Sequence, residues 1–226
     1  YTINEGGHWM DWSGVGSGAL TASSAQARSG NLSGLISGNT TTDAVLDLGN
    51  KTTGQWGLVF WMYIPNDKVG YMNIQGKTPI VYGEWVFHLY FNKNGANPGV
   101  GSIDDSAIGN VTFDFPHEQW FQVVMNVDII PGIISATIQI NINGNDVLPS
   151  GTPFTNIHGD TPTSLGGLNI YSISTNNEVY VDDFYYGEGL ITIPPLPICF
   201  PKGTPVTTDQ GDIAIEKINC DKNTIR

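Results

Sequence analysis

The sequence has few basic residues and few charged residues of any kind. Only nine of its 226 residues are Lys or Arg, against 21 Asp or Glu, and the formal net charge is −12. No cluster of basic residues occurs along the chain, and such clusters are what nucleic-acid backbones and anionic membrane surfaces attract. We therefore expect no nucleic acid among its partners.

Cysteines and long hydrophobic runs are also scarce. The chain has two cysteines, Cys199 and Cys220, which are too few for the disulfide framework of a small secreted domain. No apolar run approaches the roughly 18 to 20 residues of a membrane-spanning helix. The fold must therefore depend on its hydrophobic core, and we expect no membrane insertion.

Amphipathic helical patterns are absent beyond about two turns, whereas strand-like runs recur about every dozen residues between Gly, Pro, Asn or Asp. With 28 glycines, 40% hydrophobic and 11% aromatic residues, the chain suits strands, turns and a proper core rather than helices or disorder. Strong and weak runs together predict about 12 strands, more than the seven or so of an immunoglobulin-like domain. The predicted fold class is all-β, a two-sheet antiparallel β-sandwich of the jelly-roll type.

Five runs give the clearest strand signals. In Ile134–Ile142 apolar and polar residues alternate, and the hairpin sequence Asn143-Gly144 follows, as expected of a half-buried antiparallel strand. The runs Gln55–Ile64 and Glu84–Phe91 are apolar on both faces and are predicted to be central strands. The remaining two runs are Gln119–Ile130 and Glu178–Tyr186.

The character of the chain changes after Gly189. Residues 191–197 contain three prolines, which cannot lie inside a sheet and suit a stiff, extended linker. The segment that follows is too short to fold alone without staples or a partner. We therefore divide the chain into a sandwich at residues 1–190, a Pro-rich linker at 191–198 and a C-terminal segment at 199–226.

Four aromatic-rich segments carry a resemblance to a known fold family: GGHWMDWS at 6–13, WGLVFWMYIP at 56–65, FPHEQWF at 115–121 and VDDF at 181–184. The chain resembles the concanavalin A-like, laminin-G-like sandwich domains of secreted bacterial and viral surface proteins. The resemblance implies a jelly roll and an extracellular, cell-surface or virion location. Its expected partner is a glycan or a surface or capsid protein.

The segment CFPKGTPVTTDQGDIAIEKI at 199–218 is similar to the opening of a Hint (hedgehog/intein) autoprocessing domain. The resemblance implies that Cys199 is a nucleophile that attacks the carbonyl of Ile198 and forms a thioester. It also places a strand and a hairpin at the Gly-Thr-Pro-Val and Asp-Gln-Gly stretches. Self-cleavage is expected only where a complete Hint domain follows, because no His follows Cys199 here; otherwise Cys199 and Cys220 are free thiols or one local disulfide.

Aromatic residues on the predicted central strands suggest a carbohydrate site. Sugars stack on aromatic rings and form hydrogen bonds with Asn, Asp and Gln side chains. The candidate ligand-binding residues are Trp61, Tyr63, Trp85, His88 and Tyr90. The alternative for each tryptophan is a place in the core.

An enzymatic site is less well supported. A jelly-roll glycosidase needs two converging carboxylates, and the alternating Glu-x-Asp-x-x-Glu spacing is absent. A polysaccharide lyase needs His, Tyr and Arg together, yet Arg28 is the only Arg before residue 226. Strand alternation places Glu84 and Tyr90 on the same face as His88, so these three are the candidates.

A structural Ca²⁺ site is possible at the last strong strand, because hard cations bind clustered carboxylates and carbonyl oxygens. Asp182 and Asp183 point to opposite faces of that strand, and an inward carboxylate needs a partner. Glu5 or Asp11 could supply it; the alternative is a hydrogen bond to a neighbouring turn or a Tyr hydroxyl.

The sequence as a whole predicts a non-catalytic recognition module that binds glycan or a neighbouring protein and is joined to a Hint-like segment. One alternative is a structural or assembly protein, such as a capsid or fibre component and possible homo-oligomer, matured by cleavage before Cys199. A second alternative is a polysaccharide lyase or glycoside hydrolase of jelly-roll fold.

Overall fold

The computed structural model of the protein describes residues 8–12, 18, 20–38, 40–79, 84–105, 108–193, 205–214 and 217. The chain divides into two compact units, Tyr1–Ile193 and Pro194–Arg226. No helix in the described ranges is long and apolar enough to cross a membrane. The first unit contains both large sheets, and the described residues of the second form a hairpin.

The described part of the first unit has fourteen strands and two short 3-10 turns, at Lys93–Gly95 and Ile133–Ser135. The strands are β1 Trp9–Asp11, β2 Thr21–Ser23, β3 Ser33–Ser37, β4 Asp43–Lys51, β5 Gln55–Tyr63, β6 Gly70–Gln75, β7 Trp85–Phe91, β8 Val100–Asp104, β9 Val111–Asp114, β10 Phe121–Asp128, β11 Thr137–Ile142, β12 Asn145–Pro153, β13 Leu165–Tyr171 and β14 Glu178–Glu188.

The strands form two seven-stranded sheets in which every neighbouring pair is antiparallel. The first sheet has the order β1-β4-β13-β6-β7-β8-β9, and the second has the order β12-β11-β10-β5-β14-β3-β2. Three of the six neighbouring pairs in each sheet are not consecutive in sequence, because the chain crosses repeatedly between the sheets. This arrangement confirms the predicted two-sheet, concanavalin A-like jelly roll.

The hydrophobic core contains residues from both sheets. In β5, Leu58, Phe60 and Met62 are buried, while Trp61 and Tyr63 alternate with them and are only partly buried. This alternation is what one buried face of a strand requires. The runs predicted to be central are confirmed, because β5 lies between β10 and β14 and β7 lies between β6 and β8.

Two sequence predictions about strands are corrected. The alternating run from Ile134 overestimates the strand: β11 begins at Thr137, and Ile134 lies in a 3-10 turn with 86% of its surface exposed. The prediction of about 12 strands missed β1, which has three residues, and β12, which contains Pro149 and Pro153. Prolines are tolerated in β12 because it is an edge strand.

The hairpin between β11 and β12 forms where the sequence predicts it. Asn143 and Gly144 have φ values of 50° and 85°, and positive φ at both central residues is the type I′ geometry that fits the twist of the flanking strands. In the second unit, β15 (Pro205–Thr208) pairs with β16 (Gly211–Ala214).

Candidate functional site

The outward face of the first sheet contains a cleft of about 310 Å³. The described residues that line it come mainly from β4, β13, β6 and β7. Four are aromatic, namely Trp12, Tyr71, Trp85 and Tyr171. Four are polar, namely Asp43, Asn73, His88 and Asn169. Aromatic rings beside convergent polar groups are typical of small-molecule sites, and the volume lies at the lower end of their range of about 300 to 1,000 Å³.

The floor of the cleft is a row of polar residues on β6. Met72 and Ile74 of this strand point into the core, whereas Tyr71, Asn73 and Gln75 point the other way. These three polar residues are nevertheless 6%, 3% and 0% exposed. Buried polar groups of this kind require hydrogen-bond partners.

Amide groups supply most of those partners in a continuous chain across three strands. Gln75 Nε2 donates to Asn73 Oδ1 over 2.6 Å, Asn73 Nδ2 donates to Asn169 Oδ1 over 3.0 Å, and Asn169 Nδ2 donates to Asp43 Oδ1 over 2.5 Å. Asn73 and Asn169 are directly opposite each other in the ladder between β6 and β13. The chain ends on the Asp43 carboxylate, which can only accept hydrogen bonds when it is ionised.

The row of amide hydrogen bonds is incomplete at its Gln75 end. Gln75 Oε1 is buried and has no hydrogen-bond partner among the described residues. Because Gln75 Nε2 donates to Asn73 Oδ1, the Oε1 atom of the same amide points the opposite way. One unsatisfied acceptor costs about 1 to 3 kcal/mol.

Tyr71 connects the amide chain to His88. The Tyr71 hydroxyl oxygen lies 2.9 Å from Asn73 Nδ2 and 2.5 Å from His88 Nδ1. Burial raises the pKa of Tyr71 well above its usual range, so the phenol stays protonated. Burial lowers the pKa of His88, and the nearby Lys93 lowers it further against an opposing effect of Asp104. At neutral pH the ring of His88 is therefore uncharged.

Asp43 is the ionisable carboxyl group of the cleft. Burial raises its pKa from 3.8 to about 6, the hydrogen bond from Asn169 lowers it, and the charge of Asp11 raises it. The same residue holds the segment after β1 in place, because its carbonyl oxygen accepts a hydrogen bond of 2.9 Å from Trp12 N. Above about pH 6 the cleft thus contains a carboxylate that is largely charged and only partly hydrated.

A bulge in β7 brings Trp85 and His88 into the same cleft. Met72 and Ile74 of β6 pair with Leu89 and Val86, so two residues of β7 lie opposite one of β6. Phe87 lies at this point with a positive φ of 50°, and such bulges reverse the side on which the following side chains emerge. The ring centroids of Trp85 and His88 are 6.2 Å apart.

Tyr90 continues the aromatic row beyond the cleft. Its ring lies 5.1 Å from that of Tyr71 and is stacked with His88 at 6.3 Å. Lys93 Nζ lies 4.0 Å from the centroid of the Tyr90 ring and forms an ion pair with Asp104. The predicted residues Trp85, His88 and Tyr90 therefore lie together on one face of the first sheet.

The other two predicted aromatic residues, Trp61 and Tyr63, lie on the outward face of the second sheet. The Arg28 guanidinium stacks 3.7 Å from the centroid of the Trp61 ring. Tyr63 packs against Trp120 at 5.6 Å and Tyr180 at 6.0 Å. The five predicted residues thus belong to two separate surfaces, because β5 and β7 lie in different sheets.

The two carboxylates predicted to bind Ca²⁺ are engaged by hydrogen-bond donors. Asp182 Oδ2 accepts from the backbone N–H groups of Arg28 and Ser29, and Asp182 Oδ1 accepts from that of Asp183. Asp183 pairs with the Arg28 guanidinium and the Ser29 hydroxyl; these hydrogen bonds lower its pKa. These N–H groups and the guanidinium compete with a cation for the same carboxylate oxygens.

The surroundings of Asp182 and Asp183 include a second cavity, of about 120 Å³, lined also by Trp9, Leu20 and Phe184. The suggested partner Glu5 lies outside the described residues. Among the residues that the structure does describe, no three His, Cys, Asp or Glu side chains are grouped as a metal site would require. The Ca²⁺ site stays a prediction.

The remaining sequence candidates are Glu84 and Cys199. Glu84 precedes β7, and its Oε2 accepts a hydrogen bond of 2.9 Å from Thr163 N. Strand alternation had placed Glu84 on the same face as His88, but the bulge at Phe87 breaks that alternation. Cys199 lies outside the described residues, as does Cys220.

Sequence reasoning missed Asp43, Tyr71, Asn73 and Asn169. A signal was present in the run YMNIQ at 71–75, where polar residues alternate with apolar ones. Short alternating runs usually indicate a solvated face, so this pattern alone does not indicate a buried polar row. Nothing in the sequence indicates that β13 lies beside β6 and brings Asn169 to Asn73.

Comparisons with known proteins give no family. No protein-family model and no curated protein matches the chain. Similar solved structures include the binding domain of botulinum neurotoxin serotype G, with a TM-score of 0.44 and 11% identity over 85% of this chain and 49% of that chain. The chain thus spans about half the length of that protein.

Two further solved structures are similar to a comparable degree. Sheep galectin-11 in complex with glycerol has a TM-score of 0.40 and 9% identity over 63% of this chain and 96% of that chain. The catalytic domain of a glycoside hydrolase family 131 protein from Coprinopsis cinerea has a TM-score of 0.41 and 16% identity over 72% and 71%. Likenesses this distant do not identify a ligand, and the fold assignment rests on the two sheets of the chain itself.

Proposed function

We propose that the protein is a non-catalytic glycan-recognition module, displayed outside the cell or on a virion, that binds its ligand in the cleft of the first sheet. The observation that carries the proposal is the pairing of at least partly exposed tryptophan rings with a fixed polar floor. Trp85 and Trp12, the latter 39% exposed, offer faces on which a sugar ring can stack. Asp43 and His88 offer hydrogen-bonding groups between them.

The rigidity of the cleft supports recognition. Asn73 and Asn169 are 3% exposed and use both amide hydrogens within the protein. Groups held in this way do not have to be ordered when a ligand binds, which reduces the entropy cost of association. The cleft is therefore suited to a ligand of defined shape.

A pair of tryptophan variants tests the proposal. Trp85→Ala removes one of the two tryptophan faces of the cleft, whereas Trp61→Ala removes another partly buried tryptophan from the outward face of the second sheet. Binding to a glycan array and to soluble oligosaccharides is measured by isothermal titration calorimetry for both variants and the unmodified chain. We expect Trp85→Ala to weaken binding at least tenfold and Trp61→Ala to leave it unchanged.

The opposite outcome would assign the ligand site to the other sheet. Loss of binding in Trp61→Ala alone would place the ligand on the second sheet, beside Arg28 and Tyr63. No retention on any glycan by the unmodified chain would contradict the proposed function altogether.

For the second unit we propose a Hint-like segment in which Cys199 is the autoprocessing nucleophile. The hairpin of β15 and β16, with its turn at Asp209-Gln210, supports this because the resemblance expects a hairpin there. Mass spectrometry of native material tests the proposal. A chain that ends at Ile198 indicates cleavage before Cys199. The alternative of a matured assembly protein requires the same cleavage. A chain intact through Arg226 argues against cleavage.

A carbohydrate-active enzyme is the second candidate function. It is favoured by the presence of two titratable side chains, Asp43 and His88, in one cleft beside the Tyr71 hydroxyl. Neutral and uronate polysaccharides incubated with the unmodified chain and with His88→Ala would test it. Product that forms only with the unmodified chain would establish catalysis, and the absence of product with every substrate would exclude it.

A further inference from the structure

The hydrogen bonds of the cleft floor fix which atoms face a ligand. The ionised Asp43 carboxylate is an acceptor only, so Asn169 must present Nδ2 to it and Oδ1 to Asn73. Asn73 must in turn present Nδ2 to Asn169, and its second amide hydrogen goes to the Tyr71 hydroxyl oxygen. Each orientation follows from the one before it.

The same sequence of hydrogen bonds determines the tautomer of His88. The buried Tyr71 hydroxyl contacts Asn73 Nδ2, which can only donate, and His88 Nδ1, so its hydrogen is directed to Nδ1. Nδ1 is then the acceptor of that bond, and the proton of the neutral ring is on Nε2. His88 therefore presents an N–H donor on the side of its ring away from Tyr71.

The donor and the acceptor are separated by more than one sugar ring. Four hydrogen bonds lie between the Asp43 carboxylate and the His88 ring. Asp43 is on β4 and His88 is on β7, with β13 and β6 between them. Three strand spacings correspond to roughly 14 Å between the backbones, so a ligand that touches both groups is longer than a monosaccharide.

The charge of the cleft excludes one class of sugar. Its described lining contains one carboxylate and no Lys or Arg. The lysine beside this surface, Lys93, is already paired with Asp104 and lies over Tyr90. The Arg28 guanidinium stacks on Trp61 of the second sheet and is paired with Asp183. An anionic sugar would lose its hydration next to Asp43 without gaining a cation in return, which is costly.

From these contacts we infer that the cleft selects uncharged oligosaccharides over uronates. One hydroxyl donates a hydrogen bond to Asp43, and another, on a neighbouring sugar unit, accepts one from His88 Nε2–H. The aromatic rings of Trp85 and Trp12 pack against the apolar faces of the sugars between them. This inference rests on the proposed glycan-binding function and names the class of ligand at the same site.

The binding test uses the full 226-residue chain at pH 7.5. Neutral hexose tetrasaccharides and uronic-acid tetrasaccharides of the same linkage are compared by calorimetry. We expect the uronates to bind at least tenfold more weakly than their neutral counterparts. In Asp43→Asn, which keeps the shape and an oxygen acceptor but removes the charge, we expect this difference to shrink at least fivefold.

The outcomes separate the inference from the function on which it rests. Uronates that bind as tightly as neutral sugars, or an unchanged preference in Asp43→Asn, would overturn the selectivity while leaving glycan binding in place. Absence of binding by both classes would remove the proposed function and this inference with it.

The tautomer is tested independently of any ligand. Nitrogen-15 NMR of the unmodified chain at pH 7.5 reports which ring nitrogen of His88 carries hydrogen, and Tyr71→Phe identifies the contribution of the hydroxyl. We expect the Nε2–H form in the unmodified chain and a mixture of tautomers in Tyr71→Phe. A dominant Nδ1–H form in the unmodified chain would overturn the assignment of His88 as a donor.

Discussion

Trp85 and His88 face the same side of the first sheet although they are three positions apart in β7, and their ring centroids lie 6.2 Å apart. A regular strand would place residues of odd separation on opposite faces. The bulge at Phe87 changes this parity, since Phe87 and Val86 are both fully buried in the core. This irregularity places Trp85 in the cleft beside His88.

Replacing Asn73 tests the polar floor. Asn73→Leu leaves Gln75 Nε2, Asn169 Oδ1 and the Tyr71 hydroxyl without the partner they share. We expect the free energy of unfolding to fall by about 2 to 4 kcal/mol, since each buried group left unpaired costs about 1 to 3 kcal/mol. Urea unfolding followed by tryptophan fluorescence measures the change. Asn97→Leu, at an exposed position, is the control, and an equal effect of both variants would contradict the role of the floor.

Asp43 should make the stability of the fold depend on pH. Its folded-state pKa of about 6 lies above the usual 3.8, so the folded state favours the protonated form. The resulting stabilisation is fully present below pH 3.8 and is lost as the pH rises through about 6. Asp43→Asn, which cannot ionise, should therefore be more stable than the unmodified chain at pH 7.5 and nearly equal to it near pH 4.

Thermal unfolding at several pH values checks this expectation. Asp67→Asn, in an exposed loop, serves as the matched control for loss of a carboxylate. A gain in Tm for Asp43→Asn that is the same at pH 4 and pH 7.5 would show that ionisation of Asp43 is not the cause.

Asp182 should stabilise the fold by joining two distant segments. Its carboxylate accepts backbone hydrogen bonds from Arg28 and Ser29, about 150 positions earlier in the chain. We expect Asp182→Ala to lower the free energy of unfolding by about 2 to 4 kcal/mol, because these N–H groups lose their partner. Chemical denaturation measures the loss. Asp183→Ala removes a more exposed ion pair and should cost no more than about 1 kcal/mol; a reversed order would refute this account.

Removal of Ca²⁺ should not change the thermal stability that depends on Asp182 and Asp183. The carboxylates of Asp182 and Asp183 already accept hydrogen bonds from N–H, guanidinium and hydroxyl groups. We expect the same Tm with EDTA and with excess CaCl₂. A Tm that rises with CaCl₂ in the unmodified chain but not in Asp182→Ala would instead establish the predicted Ca²⁺ site.

The amino-acid sequence alone was sufficient for the fold class and for the strongest strands. The run Gln55–Ile64, which is apolar on both faces, was correctly predicted to be a central strand, and β5 lies between β10 and β14. The turn at Asn143-Gly144 was predictable as well, since few other residue pairs tolerate positive φ twice in succession. Local patterns determine local structure where the strand is regular.

Tertiary structure decided which of these residues form a site. Trp61 and Trp85 have similar sequence surroundings, yet the crossovers of the chain place them in different sheets. Asn73 and Asn169, 96 positions apart, meet because β13 pairs with β6. Alternation along one strand carries no information about which strand lies beside it, and it fails outright where a bulge such as that at Phe87 inserts a residue. The scarcity of basic residues was visible from the start, but only the sheet showed that the cleft itself has a carboxylate and no Lys or Arg among its described lining residues.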